Sequence, residues 1–307
     1  METPFRRILL PYDGSEPAEV ALSYALALAR GGARLDIVHL IDERSAIAQS
    51  ATALAPFDPS PMLDALRDQG RTLVRTAQRV CHEAGVEVEP QLLSDMTIPG
   101  IVNAAERNHD ELIVLGTHAR SGLPRAFLGS TTEGVLRSGT TPVLAVHPGT
   151  HAPPADGLFR KILVAVDDSD PGDAAVTLAS RFARTLGTAC VLCSVCDTTT
   201  TYNLAATYGY DPEPFIEELR THARAVVDGA IARGAFPEAT ASSIVPEGEP
   251  VAGILATAER SGADAIVIGS HGRRGLRRLV LGSVAEAVVR RSTVPVFVVR
   301  QAHENTH

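Results

Sequence analysis

Two stretches of this chain repeat one another at almost constant spacing. Residues 8–15 read ILLPYDGS, and 154 residues further on residues 162–169 read ILVAVDDS. Each is followed by a second matched block. Residues 111–119 read ELIVLGTHA, then come nine residues and the pair Gly129 and Ser130. Residues 264–272 read DAIVIGSHG, again followed by nine residues and then Gly282 and Ser283. A repeat of this length implies two similar domains, because the period is too long for a solenoid. The expected division is a first domain over 1–147, a linker over 148–157 rich in Pro and Gly, and a second domain over 158–307.

At 307 residues the chain can bury two separate cores. A net charge of -8 disfavours a broad nucleic-acid or membrane surface, since both require cationic patches. No apolar run approaches the ~20 residues of a membrane span. Met1 to Arg7 leads into the first strand without an apolar signal core, so a cytoplasmic location is expected. Cys190, Cys193 and Cys196 have a spacing that resembles a metal-ligand run. On a continuous strand over 190–196 they would alternate between faces, so the expectation is buried, unligated thiols.

Short apolar runs alternate with longer helical patterns. In the first half, strands are expected over 7–12, 35–41, 86–93, 112–116 and 143–147, and helices over 17–30, 63–84, 98–108 and 131–138. A loop containing Pro56, Pro59 and Pro61 follows the second strand. The second half repeats the order, with strands over 161–166, 190–196, 240–245, 265–269 and 296–299. Its helices are expected over 171–186, 214–234, 251–261 and 284–291, with a loop after the second strand. Such alternation implies an α/β fold of open parallel sheets with helices on both faces.

In such sheets ligands bind beyond the carboxyl ends of the strands, where strand order reverses. Asp13 and Asp167 end the first strand of each half, while Gly116 and Gly269 end the fourth. Glycines there let backbone N–H groups approach a phosphate. Gly129 with Ser130, and Gly282 with Ser283, then open a helix whose N-terminus favours anions. Glu133 and Glu286 stand three residues after the serines, the spacing of capping boxes.

These residues resemble the universal stress protein family, as a tandem pair covering almost the whole chain. The family's ATP-binding members carry Gly-x-x-Gly, nine residues and Gly-Ser/Thr, with an aspartate closing the first strand. The resemblance implies two five-stranded parallel sheets, each in the order 3-2-1-4-5, and ATP with magnesium as the ligand. In the second half it implies phosphate contacts at Gly269, Gly272, Gly282 and Ser283, with Asp167 and Val195 at the adenosine portion. In the first half it points to Asp13, Leu40, Gly116, Gly129 and Ser130.

The halves depart from the pattern differently. Ala119 stands where the first half should have its second motif glycine, which would strain a turn needing positive φ. Asp95 and Thr97 stand where the second half has Gly248 and Pro250. The second half has Asp168 in place of Gly14 and Ala165 in place of Pro11. Arg273, Arg274, Arg277 and Arg278 crowd its nine-residue segment, against Arg120 and Arg125 in the first. The second half is therefore expected to be the main ATP site.

Three classes of function remain in view: a nucleotide-binding regulator of a stress response, a slow ATPase, and a nucleotide-free dimeric scaffold. The enzyme class lacks parts. There is no Gly-x-x-x-x-Gly-Lys-Ser/Thr loop, and the chain's single lysine, Lys161, starts a strand. His118 and His271 are its only candidate bases, so at most weak ATP hydrolysis is expected. The apolar last strands, 142–146 and 295–299, would invite pairing if left bare. The resemblance implies that they pair as an internal pseudo-dimer; a homodimer of the chain is also expected, and the net charge argues against nucleic acid or membrane as partner.

Overall fold

Leu112, Ile113, Val114 and Leu115 lack polar alternation because both of their faces are covered, and all four are buried. The computed structural model describes residues 3–50, 58–117, 128–147, 150, 153, 158–272 and 281–300. These residues form two compact units that change over after Pro153.

Unit 1 runs β1 (Arg7–Pro11), α1 (Glu16–Ala29), β2 (Arg34–Ile41), α2 (Glu43–Ser50), α3 (Ser60–Glu83), β3 (Val88–Ser94), α4 (Thr97–Asn108), β4 (Leu112–Gly116), α5 (Ser130–Ser138) and β5 (Val143–Val146). Its strands are parallel in the order β3-β2-β1-β4-β5, with Ile8 opposite both Leu35 and Leu112.

Unit 2 runs β6 (Lys161–Ala165), α6 (Asp170–Leu186), β7 (Ala189–Cys193), α7 (Thr199–Tyr208), α8 (Glu213–Gly234), β8 (Ala241–Ile244), α9 (Pro250–Ser261), β9 (Ala265–Gly269), α10 (Ser283–Arg291) and β10 (Val296–Val299). Its strand order, β8-β7-β6-β9-β10, is again 3-2-1-4-5, as expected. Phe182 and Phe297 lie in its core with Phe159, their ring centroids 5.3–5.7 Å apart.

Three local expectations need correction. The loops expected after the second strand of each unit contain helices. In α2, Asp42 accepts from the backbone N–H and the hydroxyl of Ser45 and so starts a turn that the following Ala/Pro run obscured. In α7, Asp197 accepts the Thr199 N–H, and Gly209 ends the helix at φ +71°. Its β-branched Thr198 to Thr201 run gave no helical signal.

The strand expected over 190–196 stops at Cys193, and Cys196 keeps only an isolated bridge to Glu247. The three thiols nevertheless address different helices. Cys190 Sγ donates to the Ala179 carbonyl at 3.6 Å, Cys193 bonds Thr257, and Cys196 Sγ lies 4.0 Å from the Ile216 carbonyl. Burial pushes the Cys190 thiol up to about 12 and Cys193 to about 11.

The third correction concerns helix starts. Capping boxes were expected at Ser130 with Glu133 and at Ser283 with Glu286, but neither serine is a cap. Each is the first helical residue, one position too late for its hydroxyl to act as the N-cap, and the extended glycine before it holds that place. Glu133 and Glu286 instead pair one turn on, with Arg137 and Arg290.

Candidate functional site

Strand order reverses between β1 and β4 in unit 1 and between β6 and β9 in unit 2. In unit 2 a cavity of about 950 Å³ opens at that reversal, a size that suits a small-molecule ligand. Asp167, Val195, Gly269, Gly272, Gly282 and Ser283 all line it, so the fold brings together the six second-half residues that the resemblance implies as ligand contacts.

Asp167 is fixed by the helix start beside it. One carboxylate oxygen, Oδ1, accepts from the Ser169 N–H at 3.2 Å and from the Ser169 hydroxyl. That hydroxyl in turn accepts the Gly172 N–H at 3.2 Å and caps α6. The other oxygen, Oδ2, faces Gly272. A Cβ on Gly272 would stand 2.5 Å from Oδ2, and one on Gly172 would stand 2.7 Å from Oδ1. Gly269 admits the start of α6, since its Cβ would lie 2.8 Å from the Pro171 carbonyl carbon.

Residues 270–272 are tied to the start of α10. The Gly282 N–H donates to the Ser270 carbonyl at 2.7 Å, and the Ser270 hydroxyl lies 3.1 Å from His271 Nδ1. His271 itself lines the cavity.

Among the described residues, four helices begin at or beside this cavity, and their ends are satisfied differently: at α7 the Asp197 carboxylate accepts the first N–H, that of Thr199. Ser169 caps α6, and the Glu249 carboxylate caps α9 by accepting from Val251 and Ala252 at 3.0 and 2.7 Å. The N-cap of α10 is Gly282, which has no side chain to offer and leaves the first turn without a side-chain cap. Ser283, Val284 and Ala285 of that turn all line the cavity. Their backbone N–H groups form a ready anion site, with the positive end of the helix dipole behind them.

Sequence reasoning missed the far wall. Thr199 and Thr200 of α7, Leu219 and His222 of α8, and Asp197 and Glu249 also line the cavity. The short α7 gave no periodic signal, and the half-exposed face of α8 looked like ordinary solvated surface.

Unit 1 repeats the local geometry. Asp13 follows β1 and accepts the Ser15 N–H at 3.0 Å, and Ser15 caps α1. Leu40 lies near the end of β2, and Gly116 ends β4, where a side chain would overlap the Pro17 carbonyl. Gly129 is the N-cap of α5, again without a side-chain cap, and Ser130 is its first residue. Ala119, His118, Arg120, Arg125, Arg273, Arg274, Arg277 and Arg278 lie outside the described residues.

A model of the universal stress protein family matches this chain twice, over residues 4–147 and 158–300. The chain belongs to the universal stress protein family. A universal stress protein of Mycobacterium tuberculosis is 26% identical over 305 residues, spanning 96% of this chain and 97% of the relative. The universal stress protein YxiE of Bacillus subtilis is 36% identical over 151 residues, which are 47% of this chain and 100% of its own length. The fold is shared with a universal stress protein structure from Archaeoglobus fulgidus at a TM-score of 0.70 and 24% identity, covering 97% of this chain and 99% of that one. Among the described residues of this family member, no helix is long and apolar enough to cross a membrane.

Proposed function

We propose that this universal stress protein binds ATP, with magnesium, chiefly in unit 2, and that occupancy regulates a cytoplasmic stress response. The observation that carries the reading is the contrast among helix starts at the cavity. Carboxylates or a hydroxyl accept first-turn N–H groups at α6, α7 and α9, and among these helix starts α10 alone has no side chain accepting from its first turn.

That contrast also orients the ligand. Phosphates belong against the N–H groups of Val284 and Ala285 and the Ser283 hydroxyl. Glu249 and Asp197 put negative charge elsewhere on the lining, where phosphates would be repelled. The apolar lining of Val195, Ile254 and Ile268 suits a base.

Regulation is a better reading than turnover because the wall carboxylates already have work in the fold. Asp167 holds Ser169, Glu249 caps α9, and Asp197 starts α7. The binding energy would then shift a conformational or assembly equilibrium, homodimer formation included. In unit 1 the same α5 start is present, but Ala119 replaces the motif glycine, so weaker binding is expected there.

Thermal shift of the full chain with ATP, ADP, AMP and adenosine tests the reading. Stabilisation should grow with phosphate number. Equal stabilisation by all four, or none by any, would contradict it.

A further inference from the structure

The two repeats differ by a linked change at the mouth of the site. In unit 1 the residue after Asp13 is Gly14, at φ +73°, and a side chain there would begin 2.6 Å from the Leu73 side chain of α3. In unit 2 the residue after Asp167 is Asp168, whose carboxylate lies 3.8 Å from Nε2 of His222 on α8. A closed apolar contact has become a polar pair. Both side chains are close to half exposed, at 44% and 46%, which puts them at the mouth rather than on the floor. His222 also lines the cavity.

Resting on the ATP reading above, the geometry points to His222 as a contact for the sugar hydroxyls of the nucleotide in unit 2, with Asp168 as its positioning residue. The argument is one of matching chemistry. The phosphate end is taken by the start of α10, and the base by the apolar wall of Val195, Ile254 and Ile268. The sugar joins the two, and its hydroxyls need groups that can donate and accept. An imidazole does both, and Thr199 and Thr200 line the same cavity.

A site built to hydrogen-bond a hydroxyl rejects the analogue that lacks it. Calorimetric titration of the full chain with ATP, 2′-deoxy-ATP, 3′-deoxy-ATP and AMP therefore tests the assignment. The unsubstituted protein should favour ATP over at least one deoxy analogue by about tenfold. His222→Ala should shrink that preference to about twofold or less while leaving the ATP-to-AMP ratio unchanged. His222→Gln should restore part of it, and Asp168→Ala should reduce it less than His222→Ala does. The assignment is overturned if the unsubstituted protein shows no sugar preference, or if His222→Ala weakens ATP and both deoxy analogues by one common factor. Failure to bind any of the four would remove the ATP reading as well, which separates the two failures.

Discussion

Asp167 and Gly272 are fitted to one another: the carboxylate Oδ2 occupies the space into which any side chain at 272 would have to grow, 2.5 Å from its first carbon. The other oxygen is pinned by Ser169 at the start of α6, so the carboxylate cannot turn aside without uncapping that helix. Gly272→Ala should therefore displace Asp167 rather than unfold the unit. We expect ATP affinity to fall at least tenfold, about 1.4 kcal/mol, with a loss of about 1 kcal/mol of stability from the disturbed α6 cap. Calorimetry and thermal unfolding on the same sample check both halves of this statement.

The open start of α10 can be closed from within. Gly282→Asp would place a capping carboxylate where Gly282 offers none, copying what Glu249 does for α9. The site is tight, since a Cβ would lie 3.1 Å from the His271 Cα, but the extended backbone at 282 suits any residue. The substitution should leave stability within about 1 kcal/mol and reduce ATP affinity on the order of a hundredfold. Unchanged affinity in a folded Gly282→Asp protein would mean that the phosphates do not sit there.

Legibility in the sequence followed physical scale. Strand order followed from the family resemblance, and the convergence of Asp167, Gly269, Gly272, Gly282 and Ser283 was readable because the two halves carry nearly the same motif at the same spacing. The role of the serines was misjudged, since a cap and a first helical residue differ by one position and only backbone geometry separates them. His222 and Glu249 could not be found, because each reaches the cavity through tertiary packing that no local pattern encodes. For the same reason the buried Asp36 and Asp110 of unit 1 went unnoticed.

Those two aspartates make unit 1 sensitive to pH. Asp36 is bridged by Arg7 at 2.7 Å and Arg34 at 3.2 Å, while Asp110 lies 3.8 Å from Arg7 Nε beside Asn108. Burial, and then the neighbouring Asp36, push the Asp110 carboxyl up to about 7, against the opposing pull of Arg7. The folded state thus holds a proton that the unfolded chain releases near ~3.9, so the stabilising contribution is full below that value and is lost as pH rises through about 7. Unit 1 should unfold at lower denaturant at about pH 8 than at about pH 5, and Asp110→Asn should flatten the difference. Unit 2 has Val191 and Ala263 at the matching positions and serves as the internal control.

All four cysteines are unbridged and buried, and burial raises each thiol above its ordinary range. Native protein at mildly alkaline pH should resist alkylation at Cys81, Cys190, Cys193 and Cys196, and take up label at all four once denatured. Intact-mass spectrometry before and after denaturation reads this directly. Rapid native labelling at any of the four would show that the thiol is open to solvent.

Native mass spectrometry of the full chain with ATP and magnesium tests the central claim most directly. The account predicts one ATP per chain at low nucleotide concentration, lost on Gly282→Asp and retained when the matching Gly129 of unit 1 is changed to Asp. Absence of bound ATP at millimolar nucleotide, or an ATP lost only on Gly129→Asp, would contradict it.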